Sequence, residues 1–317
     1  MARKSTKRSK SSKKAAGNSR VPTRRLCGTM QAHFRLLEQD PNFRVRQAAL
    51  ERTTIRRMEA LGATAAKAAT AVIPVVVHVV YNAAAENVTM PQIKSQISVL
   101  NRDFRAKNPD KSKVPLVFKG LVADANIQFA LAKKDPKGKP TNGVTRTKTT
   151  RTSFRTDDSV KFSESGGQDA WPTDRYLNIW VCSLDGGILG YAQFPGGPPK
   201  TDGVVILNRA FGTNGSSAAP FNLGRTATHE VGHWLNLRHI WGDTEDCSGS
   251  DLVSDTPNAA GPNFGIPSFP HVSCHNGPNG DMFMNYMDYV HDAAMFMFTA
   301  QQVERMRTAL DTERTAF

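Results

Sequence analysis

Apolar and polar positions follow two different periods along this chain, and the change of period divides it. Over residues 26–68 the pattern is helical. Leu26, Met30, Phe34 and Leu37 recur at three- and four-residue spacing, and Val45, Ala49, Ile55, Met58 and Leu61 loosely continue the stripe. The segment is dense in Arg and runs into the Ala-rich stretch 60–71, which reads as an exposed linker. At Val72 the character changes. Residues 72–81 are almost all β-branched, which predicts a buried strand, with His78 inside it as a satisfied core histidine. Residues 91–105 return to the helical period, with Ile93, Ile97, Leu100 and Phe104 on one face. Strands are expected at 127–132, 176–182, 189–194 and 203–207, and a loop or hairpin at 136–155. Arg225–Leu237 reads as a helix. Residues 243–280 show little periodicity and many Gly, Pro, Asn and Ser residues. A loop that long is usually functional or pinned by cross-links or ions. Thr299 and Gln302 have capping-box spacing for a last helix reaching about Leu310. Strand–helix alternation followed by an irregular third predicts an α/β or α+β domain with a loop-rich second half.

Charge changes the picture only at one end. The chain of 317 residues carries +13, but residues 1–20 hold eight basic side chains and no acid. Without them about +5 remains, so the basic balance belongs to a tail and is poor support for a nucleic-acid-binding fold. Residues 1–25 therefore read as a flexible basic leader whose polyanion affinity is a separate possibility. No apolar run is long enough to span a bilayer, and the first 20 residues lack the apolar core of a secretory signal. The four cysteines, Cys27, Cys182, Cys247 and Cys274, are too few for a disulfide scaffold but leave room for one or two bridges.

The chemistry concentrates in residues 229–239. His229 and His233 stand four apart, so on a helix their imidazoles lie one above the other and converge on one point. Glu230 projects beside them, within reach of a water. His239 lies too far along to share the face unless the helix stops, and Asn236 stands where the chain must turn back, a residue that tolerates the left-handed conformation. Three neutral imidazoles with one open vertex make a catalytic type of Zn²⁺ site. A lone His-Glu-x-x-His occurs on ordinary helices; the third His at this offset does not belong to that background. A second element, Asn285-Tyr-Met287-Asp-Tyr289, offers a methionine in a tight turn as a soft apolar floor.

These motifs resemble those of the metzincin metalloproteases, and in finer features the smaller microbial members of the pappalysin family. The likeness rests on the zinc helix, on residues 73–81, on Tyr176–Cys182 followed by Gly190–Pro195, on His239–Asp243 and on Asp255-Thr-Pro257. Asn236 departs from the glycine usual there. The resemblance implies a secreted zinc endopeptidase made as a latent zymogen. Its sheet and active-site helix would form an upper half up to about residue 239, and residues 240–317 an irregular lower half ending in a helix. Residues 26–68 would be an inhibitory pro-segment and 69–317 the catalytic domain.

The roles implied are specific. His229, His233 and His239 hold zinc, Glu230 moves the proton of the attacking water, Met287 forms the turn and Tyr289 stabilises the tetrahedral intermediate. Gly190–Phe194 is the edge strand that takes protein or peptide substrates in extended form. Cys27, in a Cys-Gly-Thr sequence similar to that of related pro-segments, occupies the fourth zinc position. Cys247 and Cys274 pair across the long loop, leaving Cys182 as a free core thiol. The oxygens of Asp243, Glu245, Asp246, Asp251, Asp255 and Thr256 suit Ca²⁺, with Asp255 and Thr256 the preferred ligands. Some relatives prefer a basic residue after the scissile bond. Residues 259–273 contain no carboxylate, and Asp281 is the remaining acid considered for that pocket. A monomer is expected, with no specific nucleic acid and no membrane span. The rival reading is a zinc protein that binds peptides or matrix without cutting them, which an intact Glu230 disfavours.

Overall fold

A computed structural model of the chain describes residues 22–61, 69–315 and 317. The basic tail through residue 21 and the linker over 62–68 lie outside the described residues. In chain order the elements are α1 (Thr29–Gln39), α2 (Pro41–Leu61), β1 (Ala71–Tyr81), α3 (Met90–Asp103), α4 (Leu116–Lys119), β2 (Ile127–Leu131), β3 (Val144–Lys148), β4 (Leu177–Cys182), β5 (Gly190–Ala192), β6 (Val204–Leu207), α5 (Arg225–Trp234) and α6 (Ala300–Thr312).

β1 organises the sheet. It runs parallel to β4 along one edge, and its other edge is shared in series, Ala71–Val75 with β2 and Val77–Tyr81 with β3. The order continues β4-β6-β5, with β5 antiparallel to β6 at the far edge. Val75–Val80 are all buried, so both faces are covered, which is why the strand is a continuous β-branched run without alternation. One face packs with α3 and α5 around Ile73, Val75, Val77, Ile179, Ile93 and Val231. His78 lies on the other face. Its Nε2 meets the side-chain Oδ1 of Asn178 at 2.9 Å and its Nδ1 the hydroxyl of Thr145 at 2.8 Å; burial pushes its pKa down to about 4, and it is the core histidine expected.

Two expectations need correction. Residues 144–148, read as part of a loop or hairpin, form β3, a parallel partner of β1. Its Val-Thr-Arg-Thr-Lys sequence is polar because most of it is open to solvent at the sheet edge. The helical stripe of residues 26–61 is also displaced. Leu26, Phe34, Val45 and Ile55 are exposed, whereas Thr29, Ala32, His33 and Leu36 are the buried face of α1 and Phe43, Leu50 and Thr54 are buried on α2. Thr29 faces the Glu230 carboxylate and His33 packs edge-on against the rings of Phe43 and Phe194, so the inward face of α1 carries hydroxyl and imidazole groups that a hydrophobic count misses.

α5 ends at Trp234, three residues before the expected Leu237. From there to α6 the lower half is irregular, as expected, and closed by the Cys247–Cys274 disulfide. Cys182 is free and buried on β4. α6 begins with the Thr299–Gln302 capping box. Among the described residues no helix is long and apolar enough to cross a membrane.

Candidate metal centre

α5 and the bend behind it aim three imidazoles at one point. At the helix end Asn236 adopts φ +72, and the N–H of Leu237 bonds back to the carbonyl of Gly232 at 2.9 Å. This turns the chain so that His239 returns to the face holding His229 and His233. The Nε2 of His233 lies 3.2 Å from that of His229 and 3.0 Å from that of His239. Tetrahedral ligands at about 2.0 Å from Zn²⁺ are about 3.3 Å apart, so the spacing fits.

Each ring is oriented by its other nitrogen. Nδ1 of His229 donates to the Tyr286 carbonyl at 2.7 Å, that of His233 to the Leu237 carbonyl at 2.8 Å, and that of His239 to Asp243 Oδ1 at 2.5 Å. These bonds leave every Nε2 as a lone pair facing the cluster. Burial, then the neighbouring imidazoles, holds His229 well below the usual histidine range; burial and His239 do the same to His233. Trp241 stacks on His239 at 4.4 Å between ring centroids.

Residues 25–29 cross this cluster. Cys27 forms a parallel bridge with Gly190 of β5, where Gly28 N donates to Gly190 O and Leu189 N to Leu26 O, both at 2.9 Å. Sγ of Cys27 and the three imidazole nitrogens all lie within 4.8 Å of one another. It is the only such group of His, Cys and acid ligands among the described residues. Three neutral imidazoles and one thiol are a donor set that Zn²⁺ takes readily. Burial and the Glu230 carboxylate push the thiol pKa up, so a cation in the cluster is what would hold it as thiolate.

Glu230 is covered by the same segment. Its Oε2 accepts from Thr29 Oγ1 at 2.9 Å and from Cys27 Sγ at 3.4 Å, and burial raises its pKa to about 7. A Cβ on Gly190 would lie 2.9 Å from Glu230 Cγ, so only glycine lets β5 pass this close to the carboxylate. The Tyr289 hydroxyl accepts from the Cys27 N–H at 3.3 Å, and its ring stands 4.9 Å from that of His239. Met287 is fully buried beneath the helix: a Cβ on Gly232 would lie 2.5 Å from its sulfur.

Other candidate residues fall elsewhere. Asp243 orients His239, and Asp246 bonds the N–H and hydroxyl of Ser248, so the acids of the long loop do not converge as a set. Asp255 accepts from Thr299 Oγ1 and Gln301 N at the start of α6, and Thr256 donates to Asp251 at 2.7 Å. Asp281 is buried against Ser273, Asn276 and Asn263, held by bonds within the lower half. The acid that meets a basic side chain beside the metal cluster is Asp292, which the sequence reading missed. Arg25, 1% exposed, places NH2 2.5 Å from Asp292 Oδ1, NH1 3.1 Å from Thr226 Oγ1 and Nε 3.2 Å from the Val290 carbonyl. Asp292 Oδ2 accepts from the N–H of Leu223 at 2.8 Å and of Arg225 at 3.3 Å, at the start of α5. Thr29 and Gly232 were missed as well. The Thr29 signal lay in view, two residues after Cys27, and that of Gly232 inside the zinc motif.

Known proteins share this arrangement. The pregnancy-associated plasma protein-A family, peptidase M43, matches residues 161–311. A promirolysin mutant of Tannerella forsythia is 49% identical and superposes with a TM-score of 0.83, covering 92% of this chain and 95% of that one. Mature T. forsythia mirolysin in complex with a cleaved peptide is 53% identical with a TM-score of 0.76, over 78% of this chain and 97% of that one. An extracellular metalloprotease of Pyricularia oryzae is 33% identical over 296 residues, 90% of this chain and 88% of the relative. The curated relatives are named extracellular metalloproteases, a compartment the Cys247–Cys274 disulfide fits. The sequence motifs, the mixed sheet with its histidine-bearing helix and these likenesses agree: the chain is a metalloprotease belonging to the pappalysin family, peptidase M43.

Proposed function

We propose that the chain is the latent form of an exported zinc endopeptidase, with residues up to about 68 as pro-segment and 69–317 as catalytic domain. The observation that carries this is the Cys27 thiol packed with three imidazole nitrogens within 4.8 Å, while the same segment caps Glu230. His229, His233 and His239 would hold Zn²⁺, and Cys27 its fourth position until the segment leaves. Bound there, Zn²⁺ would lower the pKa of water and polarise a peptide carbonyl. Glu230, freed of Thr29 and Cys27, takes the proton of the attacking water and passes it to the leaving nitrogen. The Tyr289 hydroxyl, kept protonated by burial, donates to the oxygen of the tetrahedral intermediate. Met287 supports the cluster from below. A substrate would replace residues 26–28 along β5 in extended form but in the opposite direction, antiparallel to β5, so that the Arg25 side becomes the carboxyl side of the cut; the mirolysin complex with a cleaved peptide is in keeping with an extended ligand there. The Arg25–Asp292 pair supports a pocket for Arg or Lys after the scissile bond, a preference the sequence reading had looked for at Asp281. We also carry forward Ca²⁺ at Asp255 and Thr256, where the buried Asp251 lies close by.

The test is direct. The activated protein should lose peptide hydrolysis on chelation and recover it with Zn²⁺. Glu230→Gln should cut kcat by about 10²–10⁴-fold while the fold persists. Full activity in that variant, or metal-free turnover, would remove the proposal and favour a non-cleaving peptide binder.

A further inference from the structure

The segment that covers the metal cluster carries a second arginine seated on a carboxylate, on the other side of Cys27 from Arg25. Arg35, on α1, places NH2 2.5 Å from Asp158 Oδ2. The Arg35 side chain is 26% exposed and that of Asp158 only 2%. Asp158 lies in the upper half, in the connection between β3 and β4. In the same stretch Thr156 donates to Gln31 at 3.0 Å, and a Cβ on Gly28 would lie 2.4 Å from Thr156 Cγ2 and 3.3 Å from Tyr191 Cβ of β5. Residues 156–158 thus run beside the edge strand that a substrate would line.

The carboxylate is held firmly. Its Oδ1 is 2.7 Å from Nζ of the buried Lys161, which also donates to the Thr201 carbonyl at 2.6 Å and lies over the rings of Trp180 and Tyr191. Lys161 pairs its charge with one oxygen, and Oδ2 faces the place Arg35 fills. Withdrawal of α1 would uncover that oxygen on a preorganised support. Arg25 and Arg35 are then two basic side chains seated on two buried acids, one on each side of the thiol.

We propose that Asp158 is a second specificity-determining residue, which takes an Arg or Lys side chain of the substrate on the amino side of the scissile bond. The inference rests on the reading of residues 25–39 as a cleft-filling segment that a substrate displaces. It makes the favoured substrate a peptide with basic residues on both sides of the cut, one for Asp292 and one for Asp158.

The experiment is a cleavage profile of the enzyme activated from the full chain, read by mass spectrometry on a peptide library. The expected result is enrichment of Arg and Lys at one amino-side position in addition to the position after the bond. Replacing that Arg by citrulline, which keeps the shape and removes the charge, should lower kcat/KM about tenfold. Asp158→Asn should abolish that difference while leaving the preference after the bond intact. Asn tolerates the φ of +63 at this position, so the backbone should persist. If that variant does not fold, the citrulline pair on the unaltered enzyme decides alone. Cleavage without any amino-side basic preference overturns this inference and leaves Asp158 as a dock for Arg35 only. An absence of cleavage overturns instead the endopeptidase reading on which it stands.

Discussion

The two halves that meet at the metal centre share one apolar core and differ in what supplements it. The upper half is a sheet whose central strands β1 and β4 are buried on both faces, with Val, Ile and Leu supplying the driving force. The lower half, from about residue 240, has little regular structure before α6. Its buried interior includes the carboxylates of Asp251, Asp281, Asp288 and Asp292, each satisfied by named donors, and one disulfide. Asp288, for example, accepts from both the backbone and side chain of Asn263 and from the N–H of Tyr289. Apolar burial is non-directional and tolerates substitution, whereas paired polar groups fail when one partner is lost. The upper half should therefore bend to mutation and the lower half break.

The largest stability effect is expected where α2 is tied to the lower half. Arg305 of α6 is fully buried, donates to the Asn236 carbonyl at the bend before His239, and makes a two-pronged pair with Glu51 of α2 at 2.7 and 2.9 Å. Glu51→Ala leaves that guanidinium without its carboxylate and should cost the full chain about 3–5 kcal/mol in denaturant unfolding. A loss below 1 kcal/mol would mean that the tie is ornamental.

Next comes the disulfide. Cys247→Ser with Cys274→Ser should cost about 2–5 kcal/mol. Hydrogen exchange should locate the loss in residues 240–298 and leave the amides of β1 and β4 protected. Equal loss in both halves would erase the contrast drawn above.

The smallest effect should appear in the pH dependence. Burial raises Asp251 to about 7 from its ordinary 3.8. The folded chain therefore binds this proton more tightly than the unfolded one. That stability is fully present below about pH 4 and is lost as pH rises towards 7. Ca²⁺ binding at this loop would favour the ionised carboxylate and offset the loss. The expected gain on adding Ca²⁺ is on the order of 1 kcal/mol, roughly 2–4 °C in Tm, at pH 7.5 and much less at pH 5. A gain equal at both pH values would separate calcium from Asp251.

The same contrast decides what can be read before any coordinates exist. β1 and β4 are legible as unbroken runs buried on both faces, and α3 because its burial repeats with the helical period. The zinc helix is legible because four-residue spacing stacks His229 on His233, and Asn236 marks the bend in plain sight. Met287 shows in the turn sequence around it, and resemblance supplied Tyr289, the disulfide pair and Cys27, none of which a period encodes. The Arg25–Asp292 pair spans 267 residues, and no local pattern announces such a contact. The inward face of α1 is not legible, because Thr29 turns to a carboxylate and His33 to two aromatic rings. β3 was lost because a polar edge strand looks like a loop.

α2 ends at Leu61 and β1 begins at Ala71, so on the proposed latency the segment that blocks and the site it blocks belong to one chain. While that tether is whole, Cys27 meets the imidazoles at an effective concentration in the millimolar range, whatever the protein's abundance. On the proposed latency, a cut between residues 61 and 71 would turn the encounter into one between two species. Release would then follow dilution: the nicked complex would stay silent where it is crowded and wake as it spreads.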